Sequence, residues 1–341
     1  MFHPKYNITN KLLANIKQIS EIVAILNERR FPQVVLFEME RKAREISAHA
    51  STSIEGNPLP LTDVKRLLKQ SPKHIRNSEQ EVLNYNQALL HLKKQLDAGD
   101  SKLDLKSILT THHLVTKQLL EKASCGKLRQ APVFVNDPRS RQTVFWPPDY
   151  QDVMQLLKDL LNFIKKQEGI IDHLILAGIF HKQFVLIHPF MDGNGRTVRL
   201  LTKLLLARLG LNTFNLFSFE RYYNANVTKY FSLVGEQGNF YDLKIDFTKW
   251  LEYFTDGIID ELLRVKGELA KANQAPASGL KEHHHIILNY IKEHGSINDA
   301  LYSKLVKRAK STRALDFRYL LDQDLIKRHG KGKAIYYCLK R

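Results

Sequence analysis

The sequence predicts a mainly α-helical protein that contains one small β-hairpin and ends in a separate unit of three helices and two short strands. Apolar side chains recur at helical spacing along most of the chain. The interval 130–148 differs, because its two β-prone runs, 133–135 and 143–146, flank a turn rich in Pro, Arg and Ser. The predicted helices cover 33–55, 78–96, 104–122, 149–166, 171–187, 197–209, 219–235 and 246–272.

Single residues mark where two of these helices end or begin. Gly56 and Pro58 terminate the helix 33–55, since a glycine followed by a proline is typical of a helix C-terminus. Ser78 is the predicted N-cap of the helix 78–96, because a serine hydroxyl can accept from the free N–H groups of a first turn.

The length of 341 residues and the ordinary apolar and charged fractions fit a soluble protein of two or three domains. Residues 271–282, "KANQAPASGLKE", concentrate Ala, Pro, Ser and Gly and indicate a linker. The predicted parts are a helical N-terminal region over 1–100, a helical core over 101–270, this linker and a C-terminal unit over 283–341.

The charge of the chain points to acidic partners. Its 52 Lys and Arg exceed its 35 Asp and Glu, a net charge of +17 that favours nucleotides, nucleic acid or acidic proteins. No apolar run approaches the ~20 residues that span a bilayer. The N-terminus lacks the apolar block of a secretory signal, so we expect a cytoplasmic protein without a membrane partner. Cys125 and Cys338 lie too far apart in sequence to indicate a disulfide framework.

The segment 188–199, "HPFMDGNGRTVR", places two arginines where a helix is predicted to start. The positive end of a helix dipole favours anions, so arginines there need a negative partner. Gly193, Asn194 and Gly195 adopt positive φ most easily and can aim backbone N–H groups into one anion-binding nest. Arg196 and Arg199 are three residues apart and can converge on the same ligand. A polyphosphate would supply the missing negative charge.

Two further side chains of this segment suit phosphate chemistry. Asp192 would repel a phosphate unless a cation lies between them, and Mg²⁺ typically binds one or two carboxylates together with phosphate oxygens. His188 follows an apolar predicted helix and could take a proton from an incoming hydroxyl as a general base. The chain has neither a GxxxxGK[ST] loop nor an HExxH pair, so this segment is the candidate nucleotide site.

These twelve residues resemble the signature of the Fic-domain family, HxFx[DE]GNGRxxR, and fill every fixed position. The resemblance extends from about residue 30 to residue 265 and includes "GKLRQAPVFV…FWPP" and "FERYYNANVTKYF". It implies a Fic-type helical bundle with its catalytic core over 101–270. The usual activity of the family is AMPylation, in which AMP passes from ATP to a Ser, Thr or Tyr hydroxyl of a target protein and pyrophosphate is released.

The resemblance also implies roles for single residues. His188 would be the base, Asp192 would hold Mg²⁺, the backbone of 193–195 would bind phosphate, and Arg196 and Arg199 would bind the outer phosphates. The hairpin resembles the flap that aligns a target segment by strand addition, through Val133, Phe134 and Val135. Gly195 argues against the kinase-like branch, which has lysine there. Members that transfer UMP or phosphocholine leave the nucleotide open, with ATP as the default.

The stretch "STSIEGN", 51–57, places a carboxylate at the C-terminal end of a predicted helix, where the dipole favours cations. It resembles the inhibitory motif of the family, [ST]xxxE[GN], with Ser51, Glu55 and Gly56 in the fixed places. In that arrangement Glu55 would pair with Arg199 and occupy the position of the γ-phosphate. In some members the matching glutamate instead orients water, and the enzyme removes AMP from its target; this alternative stays open.

The C-terminal unit is predicted to be a winged helix-turn-helix domain. Helices over 283–294 and 298–309 precede a third that Ser311 caps, and two β-prone strips, 325–329 and 334–339, follow. The tripeptide His283–His285 is interpreted as surface, since adjacent histidines on a helix point in different directions.

Residues 301–341 contain twelve Lys or Arg against three Asp or Glu. The basic residues at positions where a recognition helix or wing would face a phosphate backbone are Lys310, Arg313, Arg318, Lys331 and Lys333. Winged helices also mediate protein contacts and dimerisation, so DNA and protein partners both remain open, and the family resemblance includes homodimers. The alternative to a transferase is a DNA-binding regulator whose Fic module senses nucleotide or is inactive.

Overall fold

The computed structural model describes residues 2–28, 33–69, 74–136, 142–207, 217–274, 280–323 and 325–340. The chain divides into two compact units. The larger comprises Met1–Arg30 with Met39–Lys266, and the smaller comprises Phe31–Glu38 with Gly267–Arg341.

Helices form most of the chain before residue 275, which confirms the predicted mainly α fold. They are α1 (Asn10–Glu28), α2 (Gln33–Ile54), α3 (Leu61–Lys69), α4 (Asn77–Asp97), α5 (Leu105–Thr116), α6 (Val153–Gln167), α7 (His173–Ile187), α8 (Asn194–Leu206), α9 (Glu220–Ala225), α10 (Val227–Val234) and α11 (Thr248–Gln274).

A small sheet accompanies these helices. Its strands are β1 (Val135–Asn136), β2 (Thr143–Trp146) and β3 (Gly238–Asn239), in the order β1-β2-β3. β1 and β2 are antiparallel, as the predicted hairpin requires, and β3 pairs in parallel with the other edge of β2. The predicted turn around Pro138 lies outside the described residues, and β3 was not predicted.

The core of the larger unit surrounds α7, whose sequence is apolar on every side and whose residues are almost all buried. Gly178 lets α11 approach this helix closely, because a Cβ at that position would lie 2.6 Å from Leu251 Cδ2. The indole Nε1 of Trp250 donates to the Gly178 carbonyl at 2.7 Å, which satisfies the one polar atom of that buried ring. This packing fixes α7, and with it the residue that follows its C-terminus.

Several predicted boundaries were wrong for local reasons. The single helix predicted over 219–235 is broken at Asn226, whose side chain accepts from Lys229 N and caps α10. Ser78 does not cap α4: the N-cap is Arg76, whose backbone N–H donates to the Glu79 carboxylate. Helices α1 and α3 were not among the predicted helices, and the predicted helix 104–122 ends at Thr116.

The predicted linker overlaps α11, which continues through Gln274, so residues 271–274 are helical. Residues 275–279 of that linker lie outside the described part of the chain. The division into the four predicted parts remains a prediction.

A buried ion pair lies beside α8. Lys203 Nζ is 3.0 Å from Glu220 Oε2, and the two side chains are 3% and 0% exposed. Lys203 also donates to the Phe217 carbonyl at 2.7 Å, and the Tyr85 hydroxyl donates to Glu220 Oε1 at 2.7 Å. The pair therefore joins α8 and α9 to α4 through hydrogen bonds that leave little of either charge unsatisfied.

His181 links three helices as a neutral side chain. The Thr202 hydroxyl donates to Val198 O at 2.7 Å, so it must accept from His181 Nδ1–H at 3.0 Å. The other nitrogen, Nε2, then accepts from the Tyr230 hydroxyl at 3.0 Å. Burial lowers the pKa of His181 well below its usual value, and the charge of Arg199 lowers it further.

The smaller unit contains α12 (Glu282–His294), α13 (Asp299–Leu305), α14 (Lys310–Asp322), β4 (Ile326–His329) and β5 (Tyr336–Leu339). β4 and β5 are antiparallel, and Ile297 bridges to Tyr337 beside them. The order of three helices and two strands is the one that the sequence predicts, while α13 is shorter than expected. Ser311 is not the cap of the third helix, because that N-cap is Ala309.

The surface interpretation of His284 was wrong. This side chain is 4% exposed, and its Nδ1 accepts from Lys281 N at 3.1 Å within the first turn of α12. Its Nε2 lies 3.6 Å from Asp316 Oδ1, and His283 Nε2 lies 3.2 Å from the same oxygen. Arg308 Nε is 3.0 Å from the other oxygen of Asp316 and neutralises the carboxylate. Burial lowers the pKa of His284 to about 4.

Along the described residues, none of the helices combines the length and the apolar character needed to cross a bilayer.

Candidate active site

His188 caps the C-terminus of α7 in a left-handed conformation, with φ 50° and ψ 60°. Its Nδ1 lies 3.2 Å from the Val185 carbonyl oxygen. A carbonyl can only accept, so Nδ1 carries the hydrogen and Nε2 keeps a free lone pair. Arg129 Nε donates to the His188 carbonyl at 2.8 Å, and Arg129 N donates to Pro189 O at 2.9 Å. These bonds hold the imidazole with its basic nitrogen available.

Burial lowers the pKa of His188, and the nearby charge of Arg129 lowers it further, while Glu55 and Asp192 act in the opposite direction. The imidazole is therefore neutral at pH 7, which is the protonation state that a general base requires.

The residues after His188 form a turn that leads into α8. Gly193 is the N-cap of α8 with φ 80°, and a Cβ there would lie 2.8 Å from Thr116 Cγ2, so a glycine is required. The helix begins at Asn194, three residues before the predicted start at 197. Asn194 Oδ1 accepts from Phe190 N at 3.0 Å, and Nδ2 donates to Phe190 O at 2.8 Å. Its side chain thus closes the turn and leaves phosphate binding to the backbone.

The N-terminus of α8 offers N–H groups without intrahelical partners, as the first turn of any helix does. The first internal hydrogen bond of the helix runs from Thr197 N to Gly193 O at 3.0 Å. The predicted nest over 193–195 therefore coincides with the positive end of the helix dipole, where a phosphate group is stabilised.

Glu55 lies over this helix terminus. A Cβ built on Gly195 would lie 2.2 Å from Glu55 Oε1, which places the carboxylate directly against the first turn of α8. Glu55 follows the last residue of α2, and Gly56 then turns the chain with φ 91°. The carboxylate is unfavourable at the end of its own helix and favourable at the start of α8.

Arg199 is fully buried and bound to the segment that contains Glu55. Its Nη2 donates to Glu55 Oε1 at 2.7 Å and to the Ser51 carbonyl at 2.9 Å, and its Nε donates to Ser51 Oγ at 2.8 Å. Its Nη1 has no hydrogen-bond partner within the described part of the chain. Burial is the largest influence on the pKa of Arg199 and lowers it, but Glu55, Tyr230 and Tyr85 together raise the pKa above its usual value. One nitrogen thus remains for a ligand.

Arg196 forms ion pairs with different carboxylates from the one that binds Arg199. Its Nη2 lies 2.9 Å from Asp192 Oδ2, and its Nη1 lies 3.4 Å from Glu81 Oε1 on α4. The two arginines therefore do not converge on one point in this structure, although their spacing predicts that they can. Glu81 also accepts from Asn57 Nδ2 at 2.7 Å.

Asp192 fits the predicted magnesium site by its chemistry. Its side chain is 57% exposed beside the N-terminus of α8, and its partner in the structure is Arg196. A single exposed carboxylate beside a helix N-terminus is a donor set that Mg²⁺ uses when a phosphate is bound there, with phosphate oxygens and water completing the shell.

The three predicted flap residues lie at the start of the hairpin. Val135 belongs to β1 and pairs with Phe145, whereas Val133 and Phe134 precede the strand. Phe134 is 57% exposed and Trp146 of β2 is 42% exposed. In the order β1-β2-β3, β1 is an edge strand, as is β3, and the outer side of β1 has no strand partner among the described residues.

Arg129, Glu81 and His112 contact this site and were not predicted to do so. Each is a single polar residue on a predicted helix or loop, without a motif of its own. The one available signal was the position of Arg129 inside "GKLRQAPVFV", which the family resemblance includes.

The fold and this site define a helical domain in which a histidine stands beside an anion-binding helix terminus. Residues 102–206 match the model of the Fic/DOC family, and the chain therefore contains a Fic domain. The predicted Fic domain and the predicted mainly helical fold are confirmed, while the inhibitory helix and the winged helix stay predictions.

Relatives and solved structures agree with this assignment. The protein adenylyltransferase fic-1 of Caenorhabditis elegans is 30% identical over 180 residues, which are 51% of this chain and 34% of the relative. The protein adenylyltransferase Fic of Aedes aegypti is 27% identical over 221 residues, 59% of this chain and 42% of the relative. The chain thus spans less than half the length of either relative.

A Fic family protein from Desulfovibrio desulfuricans G20 has the same fold, with a TM-score of 0.66 and 21% identity over 99% of this chain and 98% of that one. The structure of residues 134–508 of Fic-1 from C. elegans gives a TM-score of 0.59 with 21% identity over 76% of this chain and 73% of that one.

Proposed function

We propose that this chain transfers AMP from ATP to a Ser, Thr or Tyr hydroxyl of a target protein and releases pyrophosphate. One observation carries the proposal: the Glu55 carboxylate lies against the first turn of α8, beside the buried Arg199. Nη1 of that arginine has no hydrogen-bond partner among the described residues. An anion already binds where a phosphate would, next to a neutral histidine. The names of the relatives, protein adenylyltransferases, support the same reaction.

In this proposal His188 Nε2 accepts the proton of the target hydroxyl as its oxygen attacks the α-phosphorus of ATP. A new bond forms between that oxygen and phosphorus, the bond from the α-phosphorus to the bridging oxygen breaks, and pyrophosphate leaves. The backbone N–H groups of 193–195 and the guanidinium groups of Arg196 and Arg199 stabilise the phosphate charges. Asp192 would hold Mg²⁺, which neutralises charge on the leaving pyrophosphate when bound.

The same geometry supports autoinhibition. Glu55 occupies the N-terminus of α8 and accepts from Arg199 Nη2, while Ser51 Oγ accepts from Arg199 Nε. A γ-phosphate needs the same guanidinium and the same N–H groups, so ATP and Glu55 compete for one position. Removing the carboxylate frees the site without touching the histidine.

The target segment is proposed to bind as an added strand along the open edge of β1. An extended peptide can form main-chain hydrogen bonds to Val135 there, and the exposed Phe134 offers an apolar contact for its side chains.

Transfer of label from ATP to protein tests this function, because a label at the α-phosphate and one at the γ-phosphate report different reactions. With ATP labelled at the α-phosphate, Glu55→Gly is expected to label protein at least about tenfold faster than the natural chain, since a charge-assisted bond of ~1.5–3 kcal/mol holds Arg199. ATP labelled at the γ-phosphate is expected to leave no label. Rates are measured with Mg²⁺ present, and release of pyrophosphate is followed in parallel.

Glu121→Gly, at an exposed turn, is the matched control and should behave like the natural chain. Incorporation of the γ-label would assign a kinase instead. Absence of both labels in a folded Glu55→Gly protein that binds ATP would refute the transferase.

A second function, duplex DNA binding, is favoured by the basic surface of the smaller unit. Lys310 and Arg318 of α14 are exposed, as are Lys327, Arg328 and Lys331 of the hairpin. Arg313 is unsuited to this role, because its guanidinium forms two bonds to Asp299 at 2.8 and 2.9 Å. The proposal that this unit binds DNA as a winged helix therefore rests on the exposed lysines and arginines other than Arg313.

Fluorescence anisotropy with a mixed-sequence duplex tests it. The full chain is expected to bind with an affinity that falls as salt rises, and Lys310→Glu/Arg318→Glu should weaken binding and reduce the salt slope by about one per lost phosphate contact. Lys281→Glu, exposed at the start of the unit, is the control. Equal binding by the double variant and the natural chain would exclude α14 as a DNA contact.

A further inference from the structure

His112 of α5 is fully buried and uses both ring nitrogens. Gly126 N donates to His112 Nδ1 at 3.0 Å, so Nδ1 carries a lone pair. The neutral ring therefore has its hydrogen on Nε2, which lies 3.0 Å from the Asp192 carbonyl oxygen. Nε2–H therefore donates to the Asp192 carbonyl, and the hydrogen bond from Gly126 N to Nδ1 fixes this tautomer.

The ring also packs against the turn on either side of Asp192, at Phe190 and at Gly193. It stacks on Phe190 with ring centroids 3.6 Å apart and planes 3° apart. A Cβ on Gly193 would lie 3.5 Å from His112 Cδ2, so the turn passes directly over the imidazole edge. His112 thus contacts the turn at three residues, Phe190, Asp192 and Gly193, just before the N-terminus of α8.

The side chain of Asp192 is held less firmly than its backbone. It is 57% exposed, and its partner within the described residues is Arg196, a side chain that phosphate would draw away in the proposed reaction. The orientation of the carboxylate in the loaded site then depends on the backbone of Asp192, which His112 holds.

We propose that His112 is a positioning residue that orients the Asp192 carboxylate and the first N–H groups of α8 for Mg²⁺–ATP. The proposal rests on the proposed function only for the identity of the ligand. It resembles the way that residues behind metal ligands fix ligand geometry, where substitutions typically cost about 10–100-fold in metal affinity.

Two substitutions separate this role from a packing role. In the Glu55→Gly background, His112→Gln places an amide N–H near the position of Nε2 and can still donate to the Asp192 carbonyl. His112→Asn places its polar atoms near Nδ1, so it can bind Gly126 N and cannot reach Asp192. Both lose the aromatic stack, so a packing role predicts equal effects.

Calorimetry measures the Kd of ATP with Mg²⁺ and with EDTA for each variant. His112→Asn is expected to weaken Mg²⁺–ATP binding at least about tenfold and metal-free ATP binding less, while His112→Gln stays within about threefold of its parent. Hydrogen exchange of residues 190–196 without nucleotide is expected to quicken in His112→Asn and to remain slow in His112→Gln. His113→Asn, at the exposed neighbouring position, is the matched control.

Equal losses in the Asn and Gln variants, or no loss in either, would overturn the positioning role. The exchange measurement needs no nucleotide, so it decides the proposal even if ATP is the wrong ligand. If Mg²⁺–ATP binds as expected and no AMP is transferred, the proposed function fails while the role of His112 stands.

Discussion

Replacing His188 with alanine in the Glu55→Gly background is expected to lower the rate of AMP transfer by about 10²–10⁴-fold, the usual contribution of a general base. The imidazole is neutral, and its Nδ1 is bound to the Val185 carbonyl, so Nε2 is the basic atom offered to a hydroxyl. Initial rates with α-labelled ATP measure the loss. The Kd of ATP, measured by calorimetry, should stay nearly unchanged, because the phosphate contacts come from other residues.

His173→Ala, at the opposite end of α7, serves as the control for general damage to that helix. It should retain the rate of its Glu55→Gly parent. A folded His188→Ala protein that transfers AMP at a similar rate to its parent would show that the proton leaves by another route.

The Lys203→Met variant is expected to lose about 3–5 kcal/mol of unfolding free energy, because it leaves the Glu220 carboxylate buried without its cation. Glu220 is fully buried, and the donors that remain to it are hydroxyl groups, among them that of Tyr85. Chemical denaturation of the natural chain and the variant at pH 7 measures the difference.

A second substitution, at Glu220, separates the effect of the unpaired charge on stability from the effect of lost packing. Lys203→Met/Glu220→Gln removes both charges and is expected to recover much of the loss, since the uncompensated carboxylate is gone. Lys17→Met breaks the exposed pair with Glu21 and should cost less than about 1 kcal/mol. If the double variant were no more stable than Lys203→Met, the loss would come from packing around the side chain.

Helical periodicity and one motif predicted much of the fold and of the site. The segment 188–199 forms a turn and a helix terminus beside His188, and the expected ion pair between Glu55 and Arg199 is present at 2.7 Å. The turn follows from a local rule, a glycine at positive φ, and the helix dipole indicates that each of these charges needs a partner. That Glu55 and Arg199 are each other's partner came from the resemblance to the inhibitory motif of the family.

The partners of the other charges depend on tertiary contacts. Spacing places Arg196 near Arg199, yet its guanidinium lies between Asp192, four residues earlier, and Glu81 on α4. The burial of His284 depends in the same way on Asp316, which a different helix supplies. Local competition explains the break at Asn226, where a side chain able to cap a helix interrupts an otherwise apolar periodicity.

The contact between Glu55 and Arg199 joins residues 144 positions apart in one chain. The contact is intramolecular, so the fraction of molecules that form it does not depend on protein concentration. A separate inhibitor subunit, in contrast, would dissociate on dilution. Under the proposed autoinhibition, the inhibited fraction would therefore be the same in a cell that makes few copies and in one that makes many. Under the proposed autoinhibition, a signal that activates the chain has to break the contacts of Arg199 with Ser51 and Glu55, and a change in abundance alone does not break them.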